Sequence, residues 1–152
     1  MAFDGLHCGQ SLTLQIALGV LFMATKGFAA EEVRLAYTRA HEHCLQLGDT
    51  TQLFRVLGGL WNFYLLSGEL RKSQDIAEKL LALATEQGRT DFLVEAQRAF
   101  AVTLLPQGEI VRAKDFLGQS LSLLNNQSQG ISPLLNSLDP TIVCLVQQAR
   151  CL

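Results

Sequence analysis

A stretch centred on one glycine, YLLSGELRKS at residues 64–73, is followed 40 residues later by a related stretch, LLPQGEIVRA at residues 104–113. A second glycine has the same period, because Gly48-Asp49 is followed by Gly88-Arg89. Two interleaved sets of glycines with one period predict a helical hairpin that is made several times over. One glycine closes each hairpin and the other joins it to the next. The sequence therefore predicts an all-α, right-handed solenoid of antiparallel helix hairpins.

Seven helices are predicted from apolar residues at three- and four-residue spacing and from capping signals. Their approximate bounds are Ser11–Lys26, Ala29–Leu47, Thr50–Ser67, Leu70–Gln87, Asp91–Gln107, Ile110–Asn125 and Thr141–Leu152. The third helix is apolar all round and is expected to be the most buried. Asp49 and Thr90 are the expected N-caps of the third and fifth helices, and Pro106 should bend or end the fifth. The helices form a single domain at 1–152, with repeats at about 11–48, 49–88 and 89–126 and a terminal helix at 139–152.

The composition limits the classes of partner. The chain has a mean hydropathy of +0.22 with only 17% charged residues, so part of its apolar surface is expected to meet something outside the chain. Its 12 basic and 14 acidic residues provide no basic field, which argues against a nucleic-acid partner. The most apolar stretch, Leu12 to Ala24, is too short to span a membrane. No basic residue precedes Lys26, so a secretory leader is not indicated and a cytoplasmic location is expected.

No catalytic or metal-binding motif is found. The four cysteines are scattered without a CxxC pair, which favours thiols in a reducing compartment. His41-x-His43-Cys44 is the nearest approach to a metal cluster, but a closed zinc site needs four ligands. There is also no glycine-rich loop for phosphates. We therefore expect no metal, no cofactor and no enzymatic activity.

The hairpins resemble the tetratricopeptide repeat, although their period is longer. Tyr64 lies four residues before the turn glycine, the small residues Ser73 and Ala113 lie five residues after theirs, and Leu60 and Phe100 fill the matching large apolar site. In that family the first helix of each hairpin lines a concave groove. The resemblance implies that this groove binds a protein or peptide and places polar side chains on it. These are Arg55, Asn62, Glu95 and Arg98, with Gly58, Leu66 and Val102 beside them.

Several stretches resemble, more specifically, the C-terminal repeat region of large bacterial signalling proteins. They are Met23-Ala24-Thr25-Lys26-Gly27, Gly48-Asp49, Leu60-Trp61-Asn62-Phe63-Tyr64, Gly68-Glu69-Leu70 and Asp139-Pro140. In those proteins a class III adenylate/guanylate cyclase or kinase-like head and an AAA-type ATPase precede such repeats. The resemblance covers roughly residues 18–152. It implies a regulatory, protein-binding tail without the catalytic parts, either as a fragment or as a stand-alone relative.

Two alternative functions remain open from the sequence. A sensor region of a transcriptional regulator would need a helix-turn-helix domain, and a small all-α enzyme would need a pocket with converging titratable groups.

The last predicted helix is apolar on more than one face, so a second copy of the chain or further repeats should cover it. The residues expected at this interface, which suggests a homodimer, are Ile142, Val143, Leu145 and Val146.

Overall fold

The computed structural model describes the backbone of residues 2–126, together with the side chains of His7 and of residues 9–126. The predicted terminal helix lies outside the described residues. The predicted interface residues Ile142, Val143, Leu145 and Val146 therefore remain a prediction.

The described chain is helical from end to end, with short turns. Its helices are α1 (Ala2–Lys26), α2 (Glu31–Leu47), α3 (Thr50–Leu66), α4 (Leu70–Gln87), α5 (Thr90–Leu104) and α6 (Ile110–Asn125), with a 3-10 turn at Leu105–Gln107. Residues 2–126 contain no strand, so the all-α expectation is confirmed for this range. Helix α1 begins earlier than the expected Ser11, although Gly5 and Gly9 each disfavour a helix by about 1 kcal/mol. Adding residues to an existing helix does not repeat the cost of its nucleation, so α1 continues through both glycines.

The turns repeat at the level of single hydrogen bonds. Gly68 adopts a φ of 79°, and the N–H of Glu69 donates to the carbonyl of Tyr64 at 2.9 Å. Forty residues later Gly108 also has a φ of 79°, and the N–H of Glu109 donates to the carbonyl of Leu104 at 3.2 Å. This left-handed helix ending suits glycine, because any side chain there crowds the backbone.

The helix caps differ in part from the expectations. Asp49 caps α3 as predicted, since its side chain accepts a hydrogen bond from the N–H of Gln52 at 3.0 Å. The cap predicted at Thr90 is wrong, because Arg89 occupies that position and makes no side-chain cap bond. Its guanidinium instead pairs with Asp91 and lies 4.0 Å from the centre of the Phe92 ring. Helix α5 ends at Leu104, three residues before the expected Gln107, and Pro106 lies in the 3-10 turn that follows. The expectation that this proline bends or ends the helix is confirmed.

The chain divides into two compact units, which we call the N-terminal unit (residues 1–73) and the C-terminal unit (residues 74–152). In the N-terminal unit α2 packs against both α1 and α3, and in the C-terminal unit α5 packs against α6. The expectation that the third helix is the most buried is wrong. Ten of the 15 residues of α5 are buried, against eight of the 17 in α3. The buried fraction of α5 is higher because this helix also buries the polar residues Glu95, Arg98 and Thr103. A prediction from the apolar content of each helix does not count such residues.

The ring of Tyr37 on α2 lies in the interior of the N-terminal unit, where the residue is 4% exposed. Gly19 of α1 and Gly59 of α3 both face this ring, and a Cβ atom on either would come closer than 3.0 Å to it. The absence of a side chain at both positions is therefore what lets the aromatic ring of α2 lie there.

Candidate functional site

Two of the residues expected on the groove, Arg55 and Asn62, lie on α3 in the N-terminal unit. Their seven-residue spacing places them on one side of the helix, where Arg55 is exposed and Asn62 is half-buried. Leu66, four residues further, is 56% exposed. This side of α3 therefore presents a guanidinium, a carboxamide and an apolar side chain in sequence.

Arg55 also acts electrostatically on Tyr37. Burial raises the pKa of the Tyr37 phenol to about 12, because the ionised form loses its hydration. The positive charge of Arg55 acts in the opposite direction and favours the phenolate. The pKa remains high because burial has the larger effect, so Tyr37 is a neutral core residue and not an acid–base group at neutral pH.

The other two expected residues, Glu95 and Arg98 on α5, are buried. The side chains of Arg98 and Glu95 are only 3% and 2% exposed, and Nη2 of Arg98 lies 2.9 Å from Oε2 of Glu95. The assumption that they face solvent on a groove is therefore corrected. The two opposite charges lie three residues apart on one helix and satisfy each other, which makes their burial tolerable. Whether they contribute to partner binding stays a prediction.

A groove that the sequence analysis did not predict lies in the C-terminal unit. It has a volume of about 690 Å³. The rings of Phe100 and Phe116 meet edge to face in its lining, with their centres 4.8 Å apart. The other lining residues are Glu78, Leu81, Ala82, Thr85, Glu86 and Arg112. The groove joins residues of α4, α5 and α6, so no spacing within one helix could have indicated it.

Cys44 and His43 of α2 both lie within the packing of the N-terminal unit. Cys44 is 1% exposed, and Nε2 of His43 lies 3.0 Å from Oγ of Ser11 on α1. Within the described part of the chain, no three His, Cys, Asp or Glu side chains come together in a way that could hold a metal ion.

None of the helices described is both long enough and apolar enough to cross a membrane.

Comparison with solved structures connects this arrangement to a known fold. The crystal structure of the tetratricopeptide domain of Arabidopsis FLU is similar to this chain with a TM-score of 0.71 and 20% sequence identity. The match covers 79% of this chain and 99% of that domain. The likeness shows the fold, so the expected tetratricopeptide-like fold is confirmed. No family model matches the sequence, and no curated protein matches it either.

Proposed function

We propose that this chain is a non-catalytic repeat module that binds a protein or peptide. The observation that carries the proposal is the tetratricopeptide-like fold together with the side of α3 that presents Arg55, Asn62 and Leu66. Eleven residues separate the first from the last of these side chains, which is about 16 Å along a helix. An extended peptide of about five residues spans that distance.

Each of the three side chains has a recognisable role in such a complex. The guanidinium of Arg55 can donate two parallel hydrogen bonds to a carboxylate, either acidic or C-terminal. The carboxamide of Asn62 can donate to and accept from the main chain of a peptide. Leu66 offers a partly exposed apolar surface to a side chain of the partner. The proposed ligand is therefore a short peptide with a carboxylate at one end and an apolar residue at the other.

A peptide library displayed on phage tests this proposal. Peptides selected on the wild-type chain are measured by fluorescence polarisation against Arg55→Glu and Asn62→Ala. We expect Arg55→Glu to weaken binding of the selected peptides at least tenfold, with the helical circular dichroism unchanged, because the residue is exposed. Arg39→Glu is the matched control, since Arg39 is an exposed arginine on α2. Arg98 is unsuitable for charge reversal because its side chain is buried.

Two outcomes contradict the proposal. One is that no peptide is enriched above background, and the other is that Arg55→Glu binds selected peptides as well as Arg39→Glu does. In the second case the groove of the C-terminal unit becomes the next surface to test.

We further propose that the module is a regulatory region of a bacterial signalling protein that contains an AAA-type ATPase or a class III cyclase, acting in the cytoplasm. The support is the resemblance of Met23-Ala24-Thr25-Lys26-Gly27, Leu60-Trp61-Asn62-Phe63-Tyr64 and the associated turns to the repeats of such proteins. The coding sequence around this chain is the direct test. An adjoining ATPase or cyclase frame is expected, and an adjoining helix-turn-helix domain would contradict it and favour a transcriptional regulator.

A further inference from the structure

The groove of the C-terminal unit has an apolar centre between two carboxylates. Its lining residues on α4 recur at helical spacing and therefore lie on one side of that helix. In order they are Glu78, Leu81, Ala82, Thr85 and Glu86. The two glutamates are exposed and lie eight residues apart, which is about 12 Å along the helix axis. The hydroxyl of Thr85 donates to the carbonyl of Leu81 at 2.8 Å, so its donor is already used.

The rest of the lining comes from α5 and α6 and leaves the two α4 carboxylates as the unpaired charges. Phe100 is 5% exposed and Phe116 is half-buried, so the ring pair adds to the apolar centre. The guanidinium of Arg112 lies 5.9 Å from the centre of the Phe100 ring and pairs with the carboxylate of Glu109. Among the described residues neither α4 carboxylate has an ion-pair partner, and one of them accepts a hydrogen bond from the amide of Gln74 at 3.1 Å. The uncompensated charge of the groove is therefore negative.

The internal repeat shows that the hairpin framework does not require this pattern. Forty residues earlier, α2 has the reverse arrangement, with the polar residues His41 and Glu42 at the centre and the neutral residues Thr38 and Gln46 at the flanks. A leucine and an isoleucine precede the two rings by the same forty residues. The apolar centre, the flanking carboxylates and the ring pair thus belong to the C-terminal unit alone, as expected for a binding site that is added to a common fold.

The chemistry of the lining favours a helix over an extended peptide as the ligand. An extended peptide would bury backbone N–H and C=O groups in the groove, and each of them needs a hydrogen-bond partner. The backbones of α4, α5 and α6 are already paired within their own helices, and the centre of the groove offers only apolar side chains. A helix pairs its own backbone and presents only side chains to such a surface.

We propose that this groove binds a helix of another protein, with two basic residues about two turns apart and apolar residues between them. Residues seven apart on a helix are separated by about 11 Å, which matches the separation of the two α4 carboxylates. The basic side chains pair with these carboxylates, and the apolar residues between them cover Ala82 and Phe116. The predicted terminal helix at 139–152 has a single basic residue, Arg150, so that segment of this chain does not fit as the ligand.

A phage-displayed three-helix bundle, with the outer face of one helix randomised, supplies the probe helices. Helices are selected on the full wild-type chain, and those that also bind Ala82→Lys are then removed. The remaining helices occupy the groove, because this substitution places a long cation at its centre. We expect them to carry Lys or Arg seven or eight residues apart around apolar residues. Ala82 is exposed, so the variant should keep its circular dichroism. Val111→Lys is the matched control, because it adds the same charge at a 75% exposed residue outside the groove.

Exchange of charges tests the ion pairs themselves. We expect Glu78→Lys/Glu86→Lys to weaken binding of the selected helices at least about tenfold in fluorescence polarisation. The same variant should bind copies of those helices in which Glu replaces the two basic residues, a gain that damage to the fold cannot produce. Glu42→Lys, at an exposed glutamate of α2 outside the groove, is the control. Arg55→Glu should leave the helices bound, so this proposal and the proposed peptide site on α3 fail separately.

Three results overturn the proposal. They are that no enriched helix depends on Ala82, that the enriched helices lack the two basic residues, or that the exchanged helices do not bind the exchanged variant. Linear peptides that displace the selected helices would also overturn it and assign the groove to an extended ligand. A concentration-dependent dimer in sedimentation velocity that Ala82→Lys abolishes would overturn it as well, in favour of a second copy of this chain.

Discussion

At the scale of single residues, matched volumes determine how the helices meet. Tyr37 fills the space that Gly19 and Gly59 leave open in the N-terminal unit. Forty residues after Tyr37 the chain has Ala77, and forty residues after Gly59 it has Ala99. A smaller residue thus replaces the tyrosine where a larger one replaces the glycine, and all four positions are almost fully buried. These equivalent positions therefore stay buried in both units although the residues at them differ.

We expect Gly59→Ala to lower the free energy of unfolding by about 1–3 kcal/mol, because the new methyl group forces the Tyr37 ring or the helices to move. Gly118→Ala on α6 is the matched control. A Cβ atom there meets nothing within 4 Å, so the better helix propensity of alanine should raise stability by about 0.5–1 kcal/mol. Urea denaturation measures both. Equal effects of the two substitutions would show that the glycine contact with Tyr37 is not tight.

The raised pKa of Tyr37 predicts how stability depends on alkaline pH. The phenol ionises near pH 10 in the unfolded chain but only at about 12 in the folded one, because burial disfavours the phenolate. A group with a raised folded pKa contributes its full stability below the unfolded value and loses it as the pH rises through the folded value. The free energy of unfolding should therefore fall between pH 10 and 12, by at most about 1.4 kcal/mol per pH unit from this residue.

Absorbance titration of the phenols checks this dependence directly. The folded wild-type chain should show the ionisation of one phenol near pH 12, and Tyr37→Phe should lose the absorbance change of that phenol. The same variant should also weaken the fall in stability between pH 10 and 12. If the titration curves of the two proteins differ instead near pH 10, the phenol is not buried as described.

At the scale of the element, α5 shows that a helix can be buried with charges inside. Its ion pair of Glu95 and Arg98 has the same three-residue spacing as the exposed pair of Glu109 and Arg112 at the start of α6. The burial of each ion pair decides how much the free energy of unfolding falls when one of its two charged residues is removed. In the interior the remaining charge keeps its full desolvation cost, whereas at the surface water replaces the lost partner.

We expect Arg98→Met to lower the free energy of unfolding by about 3–5 kcal/mol, because it leaves the Glu95 carboxylate buried without its guanidinium. The double variant Glu95→Leu/Arg98→Met should recover most of that loss, since it removes both charges. Arg112→Met, the exposed control, should cost about 1 kcal/mol or less. Thermal or urea unfolding of the four proteins gives these values. Equal losses for the two single variants would mean that the Glu95 carboxylate reaches water.

At the scale of the whole molecule, one hairpin pattern supports different surfaces. The turn hydrogen bonds return after 40 residues. An ion pair between the residue just before the following helix and a residue of its first turn also returns, as Glu69–Lys72 and then Glu109–Arg112. The positions occupied by the exposed Arg55 and the buried Gly58 are occupied 40 residues later by Glu95 and Arg98. The backbone framework is thus repeated, while the side-chain chemistry of each unit depends on substitutions at equivalent positions.

Within residues 2–126, the sequence by itself determined the number and order of the helices, the positions of their turns and the 40-residue pattern. A left-handed glycine, a capping aspartate or a proline constrains its own few residues, so Gly48, Asp49, Gly68 and Pro106 could be interpreted without any knowledge of the rest of the chain. The resemblance to the tetratricopeptide repeat implies that Arg55 and Asn62 share one surface, and their seven-residue spacing on α3 is consistent with this.

Tertiary structure alone decided which side chains are buried and which surfaces remain open. The burial of Glu95 with Arg98, the contact of Tyr37 with two glycines and the groove around Phe100 and Phe116 all depend on neighbouring helices. The exposure of Leu14 and Leu21 on α1 likewise depends on which sides of that helix are covered. Apolar residues of the same type are covered in α3 and uncovered in α1, so local sequence cannot distinguish the two cases. Backbone conformation is set by interactions between residues close in sequence, whereas burial is set by contacts between residues far apart in it.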